Sequence, residues 1–175
     1  HLDNCDCARL VSYLASHSTE RVLLAHLSAE NNTPEIALKT VKDYLECKCL
    51  SADVNAANDP TFQDVMERRN ASFLNYGVVV TKYTGGGGKG GTSDASAEYV
   101  AEVRAMLDNA GIVWQTGELG KIDAGGGGTV AMYVANLGID VIDLGVPVLS
   151  MHAPYETTSK LDVYMCYRAM YEFMK

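Results

Sequence analysis

The chain has 175 residues, a length that fits one ordinary domain or two small ones, and 47% of them are hydrophobic, enough for a real core. Its net charge of -8 and lack of clustered Lys and Arg argue against nucleic-acid and anionic-membrane partners. No run approaches the ~20 apolar residues that cross a bilayer. No secretory leader pattern is visible, so a cytoplasmic location is the expectation.

In chain order, residues 3–17 read as a helix, 20–26 (ERVLLAH) as a buried strand ending on His26, and 33–46 as a helix. In that second helix Thr33 is placed as N-cap and Pro34 at the first turn. A short strand is expected at 49–53, then polar irregular chain to 75 with one helical turn near 62–68. GVVVTK (77–82) reads as a strand, and the glycine-rich 84–91 as a mobile loop. A helix over 94–110 is predicted, capped by Thr92 or Ser93 and ended by Gly111. Further on come a strand at 112–116, the glycine run 125–128 leading into a helix to about 137, strands at 139–144 and 146–151, and a helix over about 157–174. Strands alternating with helices imply an α/β fold, a three-layer α/β/α arrangement with a mixed sheet. The one plausible seam lies near Glu46, dividing 1–46 from 47–175.

The five cysteines, Cys5, Cys7, Cys47, Cys49 and Cys166, are odd in number, and their C-x-C spacing fits a zinc knuckle poorly. Reduced thiols are the simpler reading. Two positions attract attention because a ligand-type side chain closes an apolar stretch: Asp53 after CLSA and His152 after PVLSM. Open α/β sheets present ligands to a crevice at such strand ends. For His152 taken alone, a satisfied histidine at a sheet edge is the competing reading. The glycine run before Thr129 is no Walker loop, since no Lys-Ser/Thr pair follows; it is either a ligand-facing turn or a plain strand-to-helix connection.

From Cys49 onward, the segments LSADVNAANDP, NYGVVVTKYTG, GTSDASAEYV, WQTGELGKIDAGGGGTVA and GVPVLSMHAPYE occur in order and resemble the aspartyl or vacuolar aminopeptidases. The resemblance implies zinc-dependent removal of N-terminal residues from peptides by a two-metal site. It implies Asp53 and His152 as metal ligands, with Glu118, Gly127 and Thr129 near the substrate. The family's early His, bridging Asp and Glu-Glu pair find no counterpart in these segments. The resemblance therefore implies an incomplete site, at most one weakly held zinc and doubtful independent hydrolysis. Homo-oligomers or a completing partner subunit are further implications.

Residues 1–46, with HLDNCDCARLVSYL and VLLAHLSAENNTPEIALKTV, resemble the end of a metallo-β-lactamase-fold hydrolase. That resemblance implies His26 as an alternative metal ligand and His1 as a phosphate contact, while His17 reads as an exposed helix end. Three functional readings stand beside the aminopeptidase one: an oligomer-assembly part, a scaffold without chemistry, and a metallo-β-lactamase-type hydrolase.

Overall fold

The computed structural model describes residues 48–121, 123–136 and 139–175. The chain divides into two compact units, residues 1–49 with 137–139 and residues 50–136 with 140–175. The first falls almost wholly outside the described residues, and with it the expectations for the helices at 3–17 and 33–46, the strand at 20–26, and His1, His17, His26, Cys5, Cys7 and Cys47.

The described strands are β1 (Lys48–Ser51), β2 (Asn55–Ala56), β3 (Val78–Thr81), β4 (Tyr83–Gly85), β5 (Gly90–Asp94), β6 (Trp114–Thr116), β7 (Asp140–Gly145), β8 (Pro147–Leu149) and β9 (Thr157–Thr158). The helices are α1 (Gly86–Lys89), α2 (Ala97–Asn109), α3 (Ala131–Ala135) and α4 (Lys160–Phe173). The irregular stretch after β2 contains a single 3-10 turn, Gln63–Val65.

Three valines in a row give β3 the stiff, branched side chains that a pleated, fully buried strand accommodates. It is central in a four-stranded sheet ordered β1-β7-β3-β6, parallel to β6 and antiparallel to β7. The sheet is thus mixed. Smaller sheets join β2, β8 and β9, and β4 with β5.

Strand residues alternate between faces, which separates the sheet into two chemistries. Val78, Val80, Ile142 and Leu144 pack into one apolar core with Tyr99, Val103 and Leu107 of α2 and Ala169 of α4. The alternate residues, Val79, Thr81, Val141 and Asp143, point the other way, and two of those four are polar yet buried. Arg168 of α4 binds the helices together, donating to the carbonyls of Ala110 (2.5 Å) and Gly111 (3.1 Å) just past the end of α2. A cation there meets the negative end of the α2 dipole.

Three predicted boundaries shift, each for a physical reason. The glycine-rich 84–91 is a hairpin rather than a mobile loop: Tyr83 pairs with Asp94 and Gly85 with Gly91. The Thr84 hydroxyl bonds those of Thr92 (2.7 Å) and Ser93 (2.9 Å), and Lys82 pairs with Asp94. Because those hydroxyls are engaged in the hairpin, neither caps α2. Ser96 does, accepting from Tyr99 N at 3.2 Å. The last helix begins at Lys160, not near 157, because Thr157 and Thr158 pair with β8 and Ser159 takes the cap.

Asp162, only 1% exposed, accepts from the backbone of Asn75 (2.7 Å) and Gly77 (2.8 Å). It fixes the turn that feeds β3. Gly77 has φ +90, and a Cβ there would lie 2.1 Å from the Val113 carbonyl oxygen, so only glycine fits.

Candidate functional site

The polar face of the sheet is organised by Asn55, 2% exposed, which follows Asp53 by two residues. Its Nδ2 donates to Thr81 Oγ1 (3.0 Å) and the Gly117 carbonyl (3.3 Å), and its Oδ1 accepts from Ser72 Oγ (2.7 Å). A buried amide must be satisfied in this way or it destabilises the fold. The result joins β2, β3, the Ser72 segment and the loop carrying Glu118.

Asp53 sits between β1 and β2, half-buried, its Oδ1 accepting from Val54 N at 2.8 Å. Its main chain is pressed against β7, since a Cβ built on Gly145 would fall 1.7 Å from the Asp53 carbonyl oxygen. One strand position earlier than Leu144, Asp143 is 4% exposed. Its Oδ2 accepts from Thr129 Oγ1 at 2.8 Å, while Oδ1 is buried without a hydrogen bond among the described residues. Burial pushes the Asp143 carboxyl up from its usual range. The hydroxyls of Ser51 and Thr129 oppose that rise, and the charge of Asp53 adds to it.

Asp53, Asp143 and Thr129 therefore share one neighbourhood. The turn carrying Gly127 and Thr129 is fastened twice: Thr129 to Asp143, and the Gly127 carbonyl to Gly85 N of the hairpin at 2.9 Å. Glu118 is 9% exposed, and its own N–H donates to the Asn70 carbonyl at 2.6 Å. Burial, and next the charge of Glu118, push the Tyr83 hydroxyl up.

His152 is exposed, three residues past the end of β8. Its N–H donates to Glu156 Oε1 at 2.5 Å, and its φ of 67 places it, with Ser150 (φ 58), in the left-handed region. Two such residues in one short turn are a strained arrangement for side chains with a Cβ.

As donors, a carboxylate and an imidazole suit zinc, but a zinc shell takes at least three protein ligands. No group of three or more His, Cys, Asp or Glu able to hold a metal occurs among the described residues. These residues alone do not compose a zinc centre. Cys166 is a free thiol, and burial raises its pKa.

The sequence reading passed over Asn55, Ser72, Thr81 and Asp143. A signal existed for two of them. Thr81 closes a run of valines, and Asp143 interrupts the apolar VIDL of β7. Asn55 and Ser72 lie in polar surroundings where nothing marks them as buried.

With this mixed α/β frame and its polar face defined, likenesses to known proteins give the class. A family model described as aminopeptidase I zinc metalloprotease (M18) matches residues 12–174. A probable M18 family aminopeptidase 1 of Clostridium acetobutylicum is 51% identical over 127 residues, covering 73% of this chain and 27% of that protein. The crystal structure of an M18 family aminopeptidase from Thermotoga maritima superposes with a TM-score of 0.74 at 44% identity, covering 83% of this chain and 32% of that one. The mApe1 dodecamer of S. cerevisiae gives a TM-score of 0.57 at 25% identity, covering 71% and 26%. The chain belongs to the M18 family of aminopeptidase I zinc metalloproteases. It spans about a quarter to a third of the length of these relatives.

The matched span begins at residue 12 and so enters the stretch read as metallo-β-lactamase-like. It lends that resemblance no support, and none to His26 as a metal ligand. Among the described residues no helix is long and apolar enough to cross a membrane.

Proposed function

We propose that this chain carries part of an M18-type aminopeptidase site, for zinc-dependent hydrolysis of N-terminal residues from peptides. In this reading Asp53 and His152 are two of the zinc ligands. Glu118, Gly127 and Thr129 face the peptide, within a three-layer α/β/α arrangement of the aspartyl or vacuolar aminopeptidase type. The hydrogen bond from Thr129 to Asp143 carries it, because Asp143 also feels the charge of Asp53 and so joins the glycine turn to the ligand position. The wall of the site is built by this chain's own residues: Asn55 holds the strand after Asp53, and Asp143 holds the turn. With two ligands in place of three among the described residues, hydrolysis by these residues alone is weak or absent. Zinc would act as a Lewis acid only where a complete shell holds it.

A second reading, a non-catalytic assembly part or scaffold, is favoured by the lack of a third metal-binding side chain near either ligand among the described residues. Self-association into homo-oligomers belongs to both readings.

Zinc content of the purified chain, measured beside Asp53→Ala and His152→Ala, separates the two. Zinc lost in both variants supports the site, and a panel of aminoacyl chromogenic substrates then reads its activity. Equal zinc content in all three proteins would exclude both residues as ligands and leave the scaffold.

A further inference from the structure

Residues 150–156 form the loop of a hairpin whose ends are pinned. Strands β8 and β9 pair antiparallel, with Leu149 opposite Thr157 and Val148 opposite Thr158. The Thr158 hydroxyl adds a bond to the Pro147 carbonyl at 2.8 Å. Inside the loop, Pro154 has its φ fixed by its ring. Ser150 and His152 take the left-handed conformation, which residues with a Cβ leave when nothing holds them there.

Hydrogen bonds do the holding. Ala153 N donates to the Ser150 carbonyl at 2.9 Å and closes the first half of the loop. His152 N donates to Glu156 Oε1 at 2.5 Å and closes the second half. A bond to a carboxylate is about twice as strong as one between neutral groups. This one spans only four residues, between pinned ends, so little chain entropy opposes it.

The carboxylate bears on the imidazole through φ. Turning His152 from +67 to the usual right-handed region is a rotation of roughly 130° about its N–Cα bond. That rotation swings the His152 Cβ, and the ring with it. It also carries residues 153–156 away, so that the Glu156 carboxylate no longer reaches the His152 N–H. The bond and the left-handed backbone therefore stand or fall together. Both residues are exposed, so a change at Glu156 leaves the apolar core alone.

We propose that Glu156 is a positioning residue for His152: its carboxylate holds the left-handed turn and so sets the direction of the imidazole. The proposal deepens the reading of His152 as a zinc ligand and rests on it for its purpose. Removing a partner that orients a metal ligand costs about 10–100-fold in metal affinity. Here the partner acts on the ligand's backbone instead of on its ring.

The test compares the full chain with Glu156→Ala, Glu156→Gln and, as a control on the same loop, Tyr155→Ala. One readout needs no metal, since the NMR shifts of His152 Cα and Cβ report its backbone angles. Glu156→Ala should move them toward those of an ordinary backbone. Glu156→Gln keeps an oxygen acceptor and should stay close to the wild type, and Tyr155→Ala should match it. Urea midpoints should agree closely throughout. The other readout is calorimetric titration with zinc, in which Glu156→Ala should bind about tenfold more weakly and Glu156→Gln should recover most of the loss. Unchanged His152 shifts in Glu156→Ala overturn the proposal, and so do moved shifts with unchanged zinc affinity. A wild type that takes up no zinc, while the shifts move as expected, overturns the ligand reading alone.

Discussion

Replacing Gly145 by alanine probes the closest backbone contact in the candidate site. The new Cβ would lie 1.7 Å from the Asp53 carbonyl oxygen and 2.5 Å from its carbonyl carbon. A carbon and a carbonyl oxygen rest at about 3.3 Å or more, so the Asp53 main chain must retreat by roughly 1.5 Å. No flexible side-chain tip can absorb this, since both obstacles are backbone. The bond from Asn55 N to the Val146 carbonyl (2.9 Å) is next in line, and behind it the Asn55 side-chain network. Overpacking costs about 1–3 kcal/mol. A strained or lost backbone bond adds about 1 kcal/mol, for a total near 2–4 kcal/mol. With a urea slope of about 2 kcal/mol/M, the midpoint should fall by roughly 1–2 M. A variant within about 0.5 kcal/mol of wild type would mean that Asp53 is not held against β7 as described.

The converse holds at Gly90, where the backbone is extended (φ -97, ψ 152) and a Cβ meets nothing within 4 Å. Gly90→Ala should leave stability unchanged or raise it by about 0.4–1 kcal/mol in the same urea titration. Asp162→Ala strips the buried Gly77 N–H and the part-buried Asn75 N–H of their acceptor and should cost about 2–4 kcal/mol, read as a lowered urea midpoint. Thr129→Val removes the bond to Asp143 and should cost about 1 kcal/mol, with faster amide exchange across residues 125–129. Asp143 gives a pH signature. Its folded pKa lies above the usual 3.8, so its neutral form is the one the fold favours. That contribution is full below pH 3.8 and is lost as pH rises through the folded value. Asp143→Asn should therefore gain stability relative to wild type on going from pH 3.5 to pH 7; parallel pH profiles would contradict the burial of this carboxyl.

The apolar half of the fold was legible and the polar half was not. Val78–Val80, the Tyr99, Val103 and Leu107 spacing, and Gly111 at the helix end each carry a local signal that packing later obeys. The glycine-rich hairpin misled because glycine marks flexibility in the sequence. Its order instead comes from three hydroxyls, Thr84, Thr92 and Ser93, that meet only once the chain has turned. Asp53 and His152 stood out as polar ends of apolar runs. Asp143 reads as an anomaly inside a strand, and its role depends on Thr129, fourteen residues away. Asn55 binds partners 17, 26 and 62 residues distant, a pattern that only the folded chain reveals.

The turn at Ser150 and His152 carries its own implication for how this segment can vary. Glycine would occupy a left-handed position more easily than histidine by about 1–2 kcal/mol. Selection for stability alone would thus remove the imidazole from residue 152. A library sorted only for folding should drift toward glycine there, whereas one sorted for metal retention should keep histidine. The frequency of glycine at this one codon would report which pressure the turn answers to.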